Sequence, residues 1–295
     1  MIDKFVTEKT TVEKVANLSD REFVSCYLDR LQPVVITDAI SSWKAFSTWT
    51  PKFLQQTYGS KQVTVDDRSY QLLDFIDLVL TSTKSHPCSY LNVDIPGLFP
   101  ELLPDISPSL LYPQHNWLLN PMLYIPSVDS VKQQNGFLTL LIAGEGTRFP
   151  VLHFDHFHLH AFIMQIYGDK EFTLFPPHQS EYLYPLDRYS NQSFIPDVDR
   201  PDLNRFPLFA KAVPIKVILK PGETIFMPSG WWHTTRMLTP SIAVTSNSLS
   251  SSNWDKFSQD LTRESAKNSL TSTNKESDIS AYLNELGILL AQSVK

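Results

Sequence analysis

A mainly β fold of the α+β class is predicted for this chain, on three observations. From Gly136 onward, short segments rich in β-branched and aromatic residues recur between Gly, Pro or polar turns: FLTLLIAG, VLHFD, HAFIMQIYG, KEFTLF, AVPIKVIL, ETIFMP and SIAVTSN. Strands at that spacing indicate an antiparallel sandwich or barrel. The chain before them alternates helical and strand patterns, and the chain after Ser250 turns Ser/Thr/Asn-rich and then helical. Three parts follow: an α/β segment over 1–135 packed on the barrel, a β core over 136–250, and a helical segment over 251–295.

The front part begins with a helix start, Ser19 as N-cap with Glu22 three residues on as capping-box partner. Phe23, Tyr27 and Leu31 then recur at helical spacing. Pro33–Thr37 (PVVIT) is continuously apolar and β-branched, so it reads as a buried strand. Thr50-Pro51 opens a short helix, with proline allowed in the first turn. Gln62–Asp67 alternates like a strand, and Ser69–Ser82 has amphipathic helical periodicity. Prolines punctuate Ser89 to Pro126, which predicts loops and short helices around one strand, SYLNV. Between Pro176 and Pro207 lies an insertion rich in aromatic residues, Pro and Asp, the kind of long loop that forms lids or binding rims. Near the C-terminus Tyr282, Leu283, Leu286, Leu289 and Leu290 form an apolar stripe. That stripe either pairs two copies of the chain or folds back on its own domain.

Composition narrows the class. With 295 residues, 42% of them hydrophobic and 18 Phe, the chain can bury a sizeable core. A net charge of −6 gives no electrostatic footprint for nucleic acid. Two cysteines, Cys26 and Cys88, are too few for a disulfide framework and fit a reducing compartment. The start of the chain lacks an apolar leader core, and no apolar run reaches the ~18 residues a membrane span needs. The expectation is a cytoplasmic protein with no membrane contact.

The chemistry concentrates in His153–Phe175. His153 and Asp155 stand two apart, and in an extended strand such residues point to one face. A second imidazole is offered by His233, after Pro221-Gly222-Glu223 and a strand expected to end near it. Two histidines and one carboxylate on one side of a metal leave open positions, the arrangement of non-haem Fe(II) oxygenases. Taken singly, His153 is more often a hydrogen-bonded strand histidine than a ligand. His156, His158 and His160 add ambiguity, because His158 and His160 differ from His153 in strand parity unless a bulge intervenes.

His153-Phe154-Asp155, the QIYGDK turn, LFPP, PGE and IFMPSGWWH together resemble the cupin-like JmjC hydroxylases, the group containing the asparaginyl hydroxylase of hypoxia-inducible factor. PVVITDAISSWKAFSTW resembles that family's entry segment, so the likeness spans most of residues 15–250. It implies a double-stranded β-helix (a cupin/JmjC jelly roll) that uses Fe(II) and 2-oxoglutarate. It implies His153, Asp155 and His233 as iron ligands, and Lys170 as partner of the distal carboxylate of 2-oxoglutarate. Tyr90 matches a tyrosine holding the same carboxylate, with core packing as its bland alternative; Asn247 matches an asparagine near the co-substrate. His160, Gln165 and Trp232 are expected around the ligands rather than on the metal. Arg148 is either a surface residue or a contact for an acidic substrate group. Two departures stand out: Pro150 replaces the usual Ser or Thr three residues before the first ligand, and the interval from His153 to Gln165 is longer than in the best-known relatives.

The resemblance implies a dioxygenase that hydroxylates a protein or peptide side chain with O2, releasing succinate and CO2. N-methyl-lysine demethylation, and hydroxylation of a small molecule or tRNA base, use the same chemistry. A cupin-fold binding protein is the non-enzymatic alternative, distinguished by whether the ligand set is intact.

Overall fold

The structure is a computed structural model that describes residues 11–123, 125, 130–268 and 274–293. The first ten residues, where the leader expectation partly falls, and 269–273 and 294–295 of the C-terminal segment lie outside the described residues.

The strands in chain order are β1 (Glu13–Val15), β2 (Val34–Ile36), β3 (Gln62–Val65), β4 (Arg68–Gln71), β5 (Leu91–Asp94), β6 (Thr139–Ala143), β7 (His160–Tyr167), β8 (Lys170–Phe175), β9 (Ile215–Leu219), β10 (Thr224–Met227), β11 (Trp232–Met237) and β12 (Ser241–Ser248). Seven form one sheet in the order β1-β2-β10-β7-β12-β6-β5, and three form a second in the order β11-β8-β9. Among the described residues only β1 and β2 run parallel; every other pairing in these sheets is antiparallel. β3 and β4 make a separate hairpin whose turn residues Asp66 and Asp67 both have positive φ, the twist that tight hairpins prefer. This is the α+β jelly roll expected, with β1, β2 and β5 of the front part joined to the large sheet.

Alternation along the strands sorts the core into layers. Ile163, Phe172, Leu174, Val217, Leu219, Ile225 and Ala243 fill the space between the sheets. Phe162, Met164, Phe226, Ile242 and Val244 point the other way, against Phe23, Trp49 and Phe75 of the helical front. A third cluster of Leu152, Phe154, Phe175, Leu183, Ile195 and Trp232 lies beneath the insertion.

The local signals in the sequence mostly coincide with the observed element starts. Ser19 and Glu22 make the reciprocal capping box, although the α-helix covers only Asp20–Phe23 before a π turn over Val24–Leu28. Thr50 caps Pro51–Tyr58 through the Phe53 N–H. Three expectations change. Ser69–Ser82 is not one helix, because Arg68–Gln71 pairs with β3 and the helix is Leu72–Thr81. VLHFD is no regular strand: His153 makes isolated bridges to His233 on one side and Gln192 on the other. His233 does not end the strand before it. β10 stops at Met227, a turn with Gly230 at φ 76° reverses the chain, and His233 is the second residue of β11.

At the C-terminus, Trp254–Asn268 and Asn274–Ser293 are helices. Leu283, Leu286 and Leu290 are buried against Trp117, Trp254 and Phe257, so that part of the stripe serves this chain's own core. Tyr282, Ile288 and Leu289 remain exposed. No helix among the described residues is long and apolar enough to cross a membrane.

Candidate metal centre

His153, Asp155 and His233 converge, with one ligand atom from each lying within 4.8 Å of the others. The convergence is a backbone event first. His153 and His233 exchange both main-chain hydrogen bonds, at 3.0 and 2.6 Å, so the segment before Asp155 is clamped to β11 where the second imidazole begins. The same segment is held on its other side by the insertion: Phe154 N–H donates to the Asn191 carbonyl at 3.1 Å, Ser193 N–H to Leu152 at 3.0 Å, and Asn191 Nδ2 to the Phe154 carbonyl at 2.7 Å. The Pro176–Pro207 insertion is therefore part of the frame of the site, not a rim added to it.

Both imidazoles are oriented so that they could serve as metal donors. His153 Nδ1 lies 3.0 Å from the Val151 carbonyl, and His233 Nδ1 lies 3.0 Å from the Trp231 carbonyl. A carbonyl only accepts, so each Nδ1 carries the proton and each Nε2 lone pair is free. Burial, and for His153 also the neighbouring His233, push both rings down to about 4, so they are neutral at physiological pH. Burial raises the Asp155 carboxyl, opposed by His153 and by a hydrogen bond from Asn247. Phe149 stacks on His153 with ring centroids 4.5 Å apart. Two neutral nitrogen donors and one carboxylate on one side fit a divalent transition metal with open positions.

Lys170 is the other exceptional group. It opens β8 after the Tyr167–Lys170 turn, where Gly168 has φ 72° and an added Cβ would sit 1.9 Å from the Pro240 carbonyl oxygen. Its side chain points between the sheets with Phe172 and Leu174, and the residue is 1% exposed. No carboxylate pairs with it among the described residues, and burial pushes its ammonium down to about 7. Such a cation fits a space that receives an anion. Tyr90 shares that interior, with its ring edge-on to Phe149 at 5.3 Å, and burial raises its hydroxyl.

The residues expected around the ligands are placed by strand parity. Asn247 points inward on β12 and reaches the Asp155 carboxylate as well as the His160 carbonyl, the latter at 3.2 Å. Gln165 donates to the Tyr167 and Gly168 carbonyls, both at 2.8 Å, and so braces the turn that carries Lys170. Trp232 faces away from the ligands, edge-on to Phe154 at 4.9 Å, with Nε1 donating to Ser180. Trp231 Nε1 donates to the Leu31 carbonyl. His160 neither faces substrate nor solvent: it points outward from the sheets and is fully buried. Its Nδ1 accepts from Ser229 N–H at 2.9 Å, so Nε2 carries the proton toward Ser250 and Ser252. Ala161 takes the inward position beside it.

The long interval after His153 is absorbed by a one-turn 3₁₀ segment, His156–His158, in which Phe157 and His158 both have positive φ. Two consecutive left-handed residues without glycine are held by tertiary contacts. His158 Nδ1 meets Asp260 of the helix Trp254–Asn268 at 2.5 Å, and Asn253 Nδ2 donates to the His158 carbonyl at 2.9 Å. No sequence spacing announced this clamp.

The acidic rim expected of the insertion is not free. Asp199 binds Arg148 and Lys216 at 2.8 Å and Arg236 at 3.3 Å, while Asp197 lies near Arg148 and Arg200. Arg148 is thus an internal tether for the insertion, not a free contact for an acidic substrate. Asp187 and Asp202 turn back on the N–H groups of Tyr189 and Asn204. Tyr189 and Phe194 stay exposed, at 56% and 50%.

Residues 72–259 match the family model described as "Cupin-like domain". The chain is 29% identical over 264 residues to "Lysine-specific demethylase JMJ21" of Arabidopsis thaliana, covering 86% of this chain and 27% of that protein. It is 27% identical over 249 residues to "Lysine-specific demethylase 8" of Xenopus tropicalis, covering 80% and 52%. It is 27% identical over 240 residues to "HSPB1-associated protein 1" of Homo sapiens, covering 74% and 47%. The chain spans about half or less of the length of these relatives. JmjC and cupin oxygenases use Fe(II) and 2-oxoglutarate. On the matched region, the jelly roll and the converged His-Asp-His group, this chain belongs to the cupin-like JmjC family.

Proposed function

We propose that this chain is an Fe(II)- and 2-oxoglutarate-dependent dioxygenase that hydroxylates a side chain of a protein or peptide. The observation that carries this reading is the pairing of the His153, Asp155 and His233 donor group with an unpaired, buried Lys170 in one barrel interior. When bound, iron and 2-oxoglutarate supply the oxidising power to insert one oxygen atom of O2 into a C–H bond, with release of succinate and CO2. The protein supplies positioning. His153, Asp155 and His233 hold the metal, and Lys170 and Tyr90 hold the distal carboxylate. Asn247 orients Asp155, and the apolar side chains between the sheets exclude water.

A protein substrate is supported by the surface of the insertion. A cavity of about 200 Å³ lies between the insertion and the C-terminal helix, lined by Phe154, His156, Tyr189, Asn191 and Arg263 among others. Its lining includes Phe154 and His156, the chain neighbours of Asp155, and gives an extended chain an aromatic wall. The relatives named as lysine-specific demethylases favour a second reading, in which the same chemistry hydroxylates an N-methyl group. The free Cys26 and Cys88 fit action in a reducing compartment such as the cytoplasm.

The test is succinate formation from 2-oxoglutarate by the iron-loaded protein, beside His153→Ala, with mass spectrometry of co-purified peptides. A gain of about 16 Da identifies hydroxylation and a loss of about 14 Da demethylation, by the oxygen and methylene masses. Equal succinate from wild type and His153→Ala would reject the oxygenase reading.

A further inference from the structure

Five buried side-chain polar atoms have no hydrogen-bond partner among the described residues: Gln165 Oε1, Thr224 Oγ1, Thr235 Oγ1, Arg236 Nε and Ser258 Oγ. A buried polar group left unsatisfied costs stability, so each calls for a reason. Thr224 faces the outer layer with Phe226, Arg236 lies on the outside of β11 among the carboxylates of Glu171 and Asp199, and Ser258 is on a C-terminal helix. Gln165 Oε1 is an acceptor, and a carboxylate brings no proton to it.

Thr235 is different. It stands two residues after His233 on β11 and so shares its inward face. In the antiparallel register it opposes Phe172, while Lys170 opposes Met237, which puts Thr235 and Lys170 on one diagonal of the same interior face. The Tyr90 hydroxyl is its neighbour, raised by burial and partly lowered again by Thr235, although Thr235 Oγ1 has no partner that meets hydrogen-bond distance and angle together. Thr235 is 8% exposed, so water does not substitute freely for the missing partner. Two hydroxyls and an ammonium, with no carboxylate or carbonyl acceptor for them among the described residues, therefore surround one space inside the barrel. The position three residues before His153, where a hydroxyl is absent, is occupied by Pro150.

We propose that Thr235 is a ligand of the distal carboxylate of 2-oxoglutarate in this chain, supplying from β11 the hydroxyl that Pro150 cannot. This rests on the oxygenase reading above. The hydroxyl donates to the carboxylate beside Lys170 and Tyr90, and its lack of a well-formed hydrogen bond in the ligand-free chain leaves the donor available.

The test is titration of the manganese-loaded protein with 2-oxoglutarate, without turnover, for wild type, Thr235→Val and Thr235→Ser. Valine keeps the β-branched shape and removes the hydroxyl; serine keeps the hydroxyl. Thr235→Val is expected to weaken 2-oxoglutarate about tenfold, as befits one hydrogen bond to a charged group. Thr235→Ser should recover most of that loss. The affinity for 2-oxobutyrate, which lacks the distal carboxylate, should not change, nor should that for manganese. The melting temperature of the ligand-free Thr235→Val protein should equal or exceed wild type, because an orphaned hydroxyl is removed. An affinity for 2-oxoglutarate within twofold of wild type overturns the proposal, as does a lowered melting temperature, which would assign Thr235 to the fold. If wild type itself shows no 2-oxoglutarate binding, the oxygenase reading falls first, and this one with it.

Discussion

His153 and His233 are bound to each other through their backbones before either binds anything through its ring. The paired N–H to carbonyl bonds of 3.0 and 2.6 Å bring the two imidazole centroids to 4.4 Å. Each ring is then fixed by its own Nδ1 contact to a carbonyl two residues back. The donor group is therefore organised by the sheet and does not depend on a metal to assemble it.

Single replacement of a ligand should follow from that. His153→Ala or His233→Ala should lower affinity for Fe(II) or Mn(II) by at least about a hundredfold while the far-ultraviolet circular dichroism stays unchanged, since the backbone pairing needs no side chain. Retained metal affinity in the double variant would remove these residues from the metal.

Lys170 sets stability against binding. Replacing a buried unpaired cation by an apolar chain of similar volume, Lys170→Met, should stabilise the ligand-free protein by about 1–4 kcal/mol and abolish 2-oxoglutarate binding. The pH dependence has a definite sign. With the ammonium at about 7 when folded and near 10.5 when unfolded, the unfolded chain holds the extra proton between those values. Wild-type stability from this group therefore rises with pH across that window, so the advantage of Lys170→Met is full below about pH 7 and fades toward 10.5. Binding of 2-oxoglutarate should conversely weaken as pH rises above about 7, because the anion needs the charged form. Denaturant titrations and calorimetry at several pH values read both; a melting temperature lowered by Lys170→Met would contradict this account.

Asp260 should act on the site from a distance. Burial raises its carboxyl, but the bond to His158 and the charge of Arg263 more than offset that and lower it overall. Asp260→Ala removes the anchor of the left-handed His156–His158 turn and should cost about 1–3 kcal/mol, with a several-fold loss of metal affinity because Asp155 immediately precedes that turn. Unchanged metal affinity in a folded variant would show that the turn is held without it.

Asp199 ties the insertion down. Burial alone would raise its carboxyl, yet hydrogen bonds from Lys216 and Arg148 override this and hold it at about 2. A depressed value stabilises the fold above the unfolded value near 3.8, and that contribution is lost as pH falls through about 2. Because Asp199 is exposed and solvent screens its ion pairs, Asp199→Asn should destabilise the protein by only about 0.5–1 kcal/mol at pH 7, with the difference from wild type narrowing between pH 4 and 2. Because the insertion pairs with Leu152 and Phe154, metal affinity should fall along with stability. A change in peptide affinity alone would instead return Asp199 to substrate recognition.

Several features were legible in the sequence because they are local. The Ser19–Glu22 capping box, the Thr50-Pro51 helix start and most strands after Gly136 depend on neighbours a few residues apart. The His153–Asp155 spacing and the resemblance carried by QIYGDK and IFMPSGWWH named the residues that the fold brings together.

What only the tertiary structure decided were the pairings and parities that join distant segments. A strand pattern does not say which face is inside; closure of the sheets made Ala161 face inward and His160 outward, and it put Thr235 beside Lys170. The charge of an aspartate does not say whether it is free, and Asp199 became a tether only when Arg148, Lys216 and Arg236 were packed against it. The turn after Asp155 needed a helix a hundred residues away to hold it. In each case the deciding energy is a long-range contact or a burial cost, which exists only once the chain has closed on itself.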